Sequence, residues 1–297
     1  MRKFIEKFSL LLMLSCVICL VSCKDKSDNP VDPVDPNTPI TQQRAMAALM
    51  EFAQSSNQFA ATVKEGGNNV DATGLTPTKN LHGTKAYPVI SCEALENGTW
   101  RVVCDYGTTP VLCNDGYYRR GVVNIVTTGF FTTVGTTMTL TFENFHQRGN
   151  NWSAQEYKIE GTQVIVNAGH NAANPERIDY NVVVTDGLIT YNTKEIQYTE
   201  TTTRSLLSGS ELCDNNWYIT GAWSGVSSDD VPYTLIANST PLHYRICCHF
   251  FQDGILNVDI EGLPAFLIDY GYSEEDSDCD RKAQLIFPGI DPIVFDM

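Results

Sequence analysis

The chain has 297 residues, a formal net charge of −15 and a hydrophobic fraction of 42%. That apolar fraction is enough to form a core, which excludes wholesale disorder. The excess of acidic residues argues against a nucleic-acid partner, because binding to phosphates depends on Lys and Arg to release counterions. The length suits one large domain or two small ones.

The N-terminus predicts a signal peptide that covers residues 1–22. Basic residues precede an apolar run at 8–21, which is shorter than the roughly 20 residues that a transmembrane helix needs. The run ends in Leu-Val-Ser-Cys, the pattern of a bacterial lipobox. We therefore predict that Cys23 is acylated and anchors the protein to a membrane, since several acyl chains hold a protein stably. An ordinary signal peptide followed by a chance cysteine is the alternative.

Residues 23–40 predict a disordered tether rich in Pro and Asp, with almost no large apolar side chain. In related bacterial lipoproteins, an Asp directly after the acylated Cys often signals retention at the inner membrane. Lys24 occupies that position here, so the sequence resembles that of an outer-membrane lipoprotein. Without residues 1–22 the net charge is −17. Anionic surfaces repel such a chain, so the lipid would hold it at the membrane. The sequence leaves open on which face of the outer membrane the protein lies.

Residues 41–84 predict a short helix and a linker. Thr41 can cap the helix, and small and apolar residues then recur at helical spacing, which favours a helix at about 42–57. Met46 and Met50 flank that apolar stripe. Residues 65–84 are rich in Gly, Asn, Thr and Pro, which is typical of a linker.

Residues 85–297 predict an antiparallel β domain. Apolar and polar residues alternate in segments such as 137–143 and 255–261, which indicates strands with one face in the core. Asp186–Gly187 and Asp253–Gly254 are the pairs that favour tight hairpin turns. No amphipathic helix interrupts this region. We predict an all-β meander or sandwich of about a dozen strands, preceded by a short N-terminal helix.

Beyond the signal peptide and Cys23, the cysteines form an odd set, so at least one is unpaired within the chain. Cys104 and Cys113 flank a short segment and are candidates for a local disulfide. Cys279 could pair with Cys247 or Cys248, and burial as small apolar side chains is the alternative. Adjacent cysteines on a strand point to opposite faces, which argues against a zinc site. The set is Cys92, Cys104, Cys113, Cys213, Cys247, Cys248 and Cys279.

The acidic segment 269–280 is the densest group of carboxylates in the chain. A solvated loop is the favoured interpretation. Calcium binding stays open, because calcium favours several oxygen ligands from one flexible loop. We predict no other metal site and no cofactor.

Three tryptophans near turns or strand ends are candidate ligand-binding residues: Trp152, Trp217 and Trp223. Exposed aromatic rings would suit a glycan platform, whereas rings that close the end of a core are the alternative. Residues 221–225 resemble a nucleophile elbow only superficially, because Ser224 comes one place late. We therefore predict no catalytic residue and no enzyme.

The lipobox and a closing block of short motifs are similar to uncharacterised outer-membrane lipoproteins of the Bacteroidetes. The block runs from Ile268-Asp269-Tyr270-Gly271 through Cys279-Asp280 to Pro288-Gly289. The resemblance implies a β-rich, non-enzymatic protein. We expect a membrane-anchored lipoprotein of the cell envelope that acts as a binding or structural module, with a glycan or another envelope protein as partner. A polysaccharide-directed hydrolase and a structural subunit of an envelope complex are the alternatives.

Overall fold

A computed structural model describes residues 39–77, 88–113, 115–149, 155–209, 215–245, 248, 251–271, 279 and 282–296. The predicted signal peptide 1–22, Cys23 with most of the tether, and Trp152 lie outside these ranges. Within them, no helix is long and apolar enough to cross a membrane.

One long helix precedes fifteen antiparallel strands in this part of the chain. Helix α1 spans Pro39–Ala72, and a short 3-10 turn at Glu96–Gly98 separates the first two strands. The strands are β1 (Val89–Ala94), β2 (Trp100–Asp105), β3 (Val111–Leu112), β4 (Tyr117–Thr127), β5 (Thr137–Gly149), β6 (Tyr157–His170), β7 (Ile178–Tyr191), β8 (Lys194–Leu207), β9 (Asn216–Val226), β10 (Pro232–Arg245), β11 (Phe251–Asp253), β12 (Ile255–Ile260), β13 (Phe266–Asp269), β14 (Lys282–Ile286) and β15 (Ile293–Asp296).

The strands form a single sheet in which nearly every strand pairs with the next one along the chain. Two short strands lie beside this path: β3 pairs with β4, and β11 pairs with β10. This architecture confirms the predicted all-β antiparallel class with one N-terminal helix. The alternation predicted at 137–143 and 255–261 is also confirmed, since Met138, Leu140, Leu256, Val258 and Ile260 are all buried.

A row of bulges crosses the long strands and bends the sheet. The pairing register shifts beside Gly161 in β6 and beside Asp186–Gly187 in β7, and Gly161 has a φ of 115°. A Cβ at Gly161 would lie 2.7 Å from the Asp186 carbonyl oxygen, so the two bulges pack directly against each other. Bulges increase local bending and twist, and this row lets the sheet curl around α1.

Neither Asp-Gly pair forms the predicted hairpin turn. Asp186 has a φ of 51° and lies inside β7, which continues to Tyr191. Asp253–Gly254 joins β11 to β12, and both of these strands pair with β10. The sequence signal favours a positive φ, which a bulge uses as readily as a tight turn does. The prediction of two hairpins at these pairs was therefore wrong.

The helix continues well past the predicted end near residue 57, so the start of the predicted linker at 65–84 is helical. Gly66 and Gly67 allow this because the helix lies very close to β5 and to the β4–β5 connection at that point. A Cβ at Gly66 would lie 3.1 Å from Leu140 Cδ2, and one at Gly67 would lie 2.4 Å from the Phe131 ring. These glycines serve packing, and their helix-breaking tendency is overridden by tertiary contact.

Polar groups make much of the contact between α1 and the sheet. The Gln147 side-chain amide donates to both the backbone oxygen and Oε1 of Gln58, at 3.2 and 2.8 Å. Gln163 donates to the Phe59 backbone oxygen and accepts from the Thr62 hydroxyl at 2.7 Å. Because the buried face of the helix carries these polar groups, its apolar periodicity is weak.

Candidate functional site

A groove between α1 and the last strands of the sheet is the strongest candidate for a binding site. We name it the α1 groove. It has a cavity volume of about 110 Å³ and opens to solvent. Its lining consists of Leu49, Met50, Ala53, Gln54 and Asn57 from the helix and Phe251, Ile268, Tyr270 and Phe295 from the strands.

The helical wall follows from residue spacing along α1. Met50, Gln54 and Asn57 are separated by four and three residues, which places them on one stripe of the helix. Met50 is 52% exposed, one of the large apolar side chains that the fold leaves accessible to solvent. An exposed Met beside an apolar cavity is a flexible side chain that can adapt to a ligand.

The strand wall is aromatic and well packed. Ile268 of β13 and Tyr270, which directly follows that strand, are two residues apart, and both line the groove. The ring centroids of Phe251 and Tyr270 are 5.2 Å apart, and those of Tyr244 and Phe251 are 6.0 Å apart. Burial raises the pKa of Tyr270, so this side chain stays neutral. The wall is therefore formed before any ligand arrives.

A disulfide between Cys248 and Cys279 lies in the two connections next to this wall. Cys248 precedes β11, which carries Phe251, and Cys279 lies between β13, which ends beside Tyr270, and β14. Of the two partners that the sequence allowed for Cys279, the structure therefore shows Cys248. It ties together the segments that carry the aromatic side chains of the groove.

The groove has no formal charge and one unusual polar atom. At neutral pH none of the nine lining side chains is ionised. Among the described residues, Gln54 Oε1 is the one side-chain oxygen that is buried without a hydrogen-bond partner. Buried polar atoms of this kind are rare in folded proteins, and each one calls for a specific explanation.

A second cavity of about 560 Å³ lies beside a neighbouring stripe of the helix, which contains Gln43, Ala47 and Glu51. Asp229 and Glu261 also line it, so this cavity is acidic. The two cavities flank the N-terminal half of α1, where the helix meets the last strands. Their combined lining makes this end of the molecule apolar on one flank and negative on the other.

Glu51 fixes the helix between the two cavities. Its carboxylate accepts hydrogen bonds from the Ser228 backbone N–H at 2.9 Å, Lys194 Nζ at 3.1 Å and the Tyr191 hydroxyl at 3.2 Å. Burial acts to raise the pKa of Glu51, but the hydrogen bonds from Ser228 and Lys194 outweigh it and lower the pKa. The carboxylate therefore stays ionised and holds α1 to the β7–β8 and β9–β10 connections.

The structure places Trp217 and Trp223 in the core, so neither can form the exposed platform that we expected. Trp217 is 5% exposed and packs edge-on against Tyr180, and Trp223 is 1% exposed and packs against Phe52. Trp217 and Ile219 are two residues apart on β9, so they share one face of the strand, and both are buried. The alternation of apolar and polar residues along β9 is the sequence signal that could have predicted a buried Trp217 side chain. The third candidate, Trp152, lies outside the described residues.

Cys104 and Cys113 are both free and buried, so the local disulfide suggested by the sequence is absent. Cys104 pairs with Val123, and the Cys113 backbone N–H bonds to the Tyr117 oxygen, on the same strand β4. These partners are six residues apart, which is roughly 20 Å along a strand. A disulfide needs Cα atoms within about 7 Å. Cys92 is also free.

No group of three or more His, Cys, Asp or Glu residues could hold a metal ion among the residues with described positions. Most of the acidic segment 269–280 falls outside them, so the solvated loop stays a prediction and calcium binding stays open. No family model matches the chain, and neither a curated protein nor a solved structure was found to match it. The similarity to lipoproteins of the Bacteroidetes therefore stays a prediction as well.

Proposed function

We propose that this protein is a lipid-anchored binding protein of the bacterial outer membrane, and that the α1 groove is its ligand site. The lipobox ending at Cys23 supports the anchor. The groove supports the binding function, because it combines an apolar lining, an opening to solvent and an exposed Met50. Ligand sites in proteins are concave, mostly apolar and preformed, and the groove has these properties.

The α1 groove supports a binding function better than a glycan platform of exposed tryptophans does. Stacking on a sugar needs an exposed aromatic face, and Trp217 and Trp223 are buried in the core. Most of the groove lining is aliphatic or aromatic, and the helical wall adds the amides of Gln54 and Asn57 beside the exposed Met50. Such a surface gains free energy by removing apolar ligand surface from water, at about 25 cal/mol per Å².

The test is photolabelling of the full-length protein in phosphatidylcholine vesicles with an aliphatic diazirine probe. We expect covalent labelling within the peptide that contains residues 49–57, located by mass spectrometry. Ala53→Phe, which fills the groove, should remove most of this labelling. Ala72→Phe is the matched control, because Ala72 is an exposed alanine of the same helix that does not line the groove.

Both variants should keep the wild-type melting temperature within a few degrees, so that lost labelling reports the groove itself. If the probe labels the peptide that contains residues 49–57 no more than other exposed peptides, or if Ala53→Phe labels as strongly as the wild type, the proposed site is wrong.

A further inference from the structure

We propose that the free edge of β15 pairs with β15 of a second copy of this chain, so that the two sheets join edge to edge in an antiparallel dimer. This association goes beyond the proposed ligand site and does not depend on a ligand. It follows from three features of β15: its unpaired edge, its uncharged central residues and its position beside the α1 groove.

The strand β15 is the last one in the sheet, and one of its edges is unpaired. Within the described part of the chain, β15 pairs with β14 alone. The backbone of residues 293–295 makes no hydrogen bond to any other described residue. A free edge offers N–H and C=O groups at the spacing of a neighbouring strand, so the partner that fits it is another β-strand.

The two edges of the sheet differ in charge. At the opposite edge, β1 carries Glu93, whose carboxylate forms an exposed ion pair with Arg101 at 2.8 Å. Charged side chains of this kind protect an edge strand from pairing with another chain. In β15 no residue before the final Asp296 is charged, and Val294 is 51% exposed. The β15 edge is therefore the one that favours association.

A second copy of β15 complements this edge. Two copies of one strand related by a two-fold axis run antiparallel, which continues the pattern of the whole sheet. With Val294 on the axis, Val294 faces the partner's Val294, and Ile293 faces the partner's Phe295. Asp296 then faces the partner's Pro292, so its carboxylate is not opposite another one. Moving the axis by one residue either way would set an aspartate opposite an apolar residue.

This pairing brings a residue of the second copy to the α1 groove. Phe295 lines the groove, and Ile293, two residues away, shares its face of the sheet and packs against the core. Residues directly opposite each other in an antiparallel pair point to the same face. The partner's Ile293 would therefore lie beside Phe295 and extend the apolar lining of the groove.

The test is disulfide trapping of the full-length Val294→Cys variant, oxidised with copper phenanthroline at increasing protein concentration. Residues that face each other across the axis have Cα atoms within the about 7 Å that a disulfide allows. Gln284→Cys is the matched control, because Gln284 is the β14 neighbour of Val294 on the same face. Its two copies would lie three strand spacings apart, about 14 Å. The wild type measures the background from the native cysteines.

We expect Val294→Cys to form the covalent dimer at least about tenfold faster than Gln284→Cys, because pairing raises the effective concentration of the two thiols. Sedimentation velocity tests the pairing without a new thiol. The wild type should sediment faster as its concentration rises. Val294→Lys, which sets like charges opposite each other, should remain monomeric, whereas Gln284→Lys should behave as the wild type does. Because Val294 is exposed, its replacement should leave the fold intact.

If Val294→Cys crosslinks no faster than Gln284→Cys, or if Val294→Lys and the wild type sediment alike, the inferred dimer is wrong. Neither measurement contains a ligand, so this result would leave the proposed ligand site standing. Absence of photolabelling in the groove would overturn the proposed function and would leave the dimer standing.

Discussion

Gly67 of α1 lies directly against the ring of Phe131, and a Cβ placed on Gly67 would come within 2.4 Å of the ring carbon Cγ. The ring cannot retreat easily, because Phe131 is buried and stacks on Tyr180 with ring centroids 4.4 Å apart. Its backbone is also held, since the Phe131 N–H donates to Asp71 Oδ1 at 2.7 Å. The contact between α1 and the β4–β5 connection, which carries Phe131, therefore requires glycine at this position.

We expect Gly67→Ala to be less stable than Gly66→Ala by about 2 kcal/mol, because overpacking of a core typically costs 1–3 kcal/mol. Both changes gain the same helix propensity, so the difference between their stabilities isolates the contact with the Phe131 ring. At Gly66 the nearest atom is the end of the flexible Leu140 side chain, 3.1 Å away. Urea denaturation measures the free energy of unfolding of each variant, and equal stabilities would contradict the packing argument.

Local residue patterns predicted the strands, whereas contacts between distant segments could not be predicted from the sequence. Alternation correctly predicted the buried faces of strands such as β5 and β12, because the side-chain period of a strand is fixed by its geometry. The end of α1 could not be predicted, because its buried face carries Gln58, Thr62 and Gly67, whose partners lie on distant strands. The α1 groove was equally hidden, since its two walls are separated by about two hundred residues of sequence.

Arg119 is buried in a fully bonded site, and we expect Arg119→Lys to destabilise the protein by about 1–3 kcal/mol, the cost of leaving a buried acceptor without its donor. Its two terminal nitrogens donate to both oxygens of Asp115, at 2.7 and 2.6 Å, and its Nε donates to Gln147 Oε1 at 2.7 Å. Lysine cannot reproduce this planar set of donors, so Asp115 and Gln147 would lose partners.

Arg101→Lys is the matched control for the Arg119 variant, because Arg101 forms an exposed ion pair with Glu93 at 2.8 Å. Exposed pairs contribute less than about 1 kcal/mol, so this variant should unfold at nearly the wild-type urea concentration. A loss of stability at Arg119 no larger than at Arg101 would show that the buried site is unimportant for folding.

Two glutamates of α1 should respond to pH in opposite directions. Hydrogen bonds from Ser228 and Lys194 overcome burial and lower the pKa of Glu51 below the unfolded value of about 4.3. Its ionised form therefore stabilises the fold above that pH, and the contribution is lost as the pH falls through the folded-state pKa. Burial raises the pKa of Glu65 instead, so ionised Glu65 opposes folding at neutral pH and this penalty disappears on acidification.

We therefore expect Glu51→Gln to lower the free energy of unfolding at pH 7 by about 1–3 kcal/mol, with the difference from wild type shrinking in acid. Glu65→Gln should leave stability at pH 7 equal or higher. Urea titrations between pH 3 and pH 8 measure both profiles. Parallel profiles for Glu51→Gln and the wild type would show that the Glu51 carboxylate is not the titrating group.

The Cys248–Cys279 disulfide should stabilise both the fold and the α1 groove. It closes a loop with a sequence separation of 31 residues, which in the chain-entropy model contributes roughly 3–4 kcal/mol. Reduction, or replacement of both cysteines by serine, should lower the unfolding midpoint by a corresponding amount. It should also weaken photolabelling of the groove, because Phe251 and Tyr270 lie beside the two connections that the bond joins. The control is the same reductant applied to the variant that lacks both cysteines, which should not lose further stability because the other described cysteines are already free. Stability that is unchanged after reduction would show that the sheet alone positions this wall of the groove.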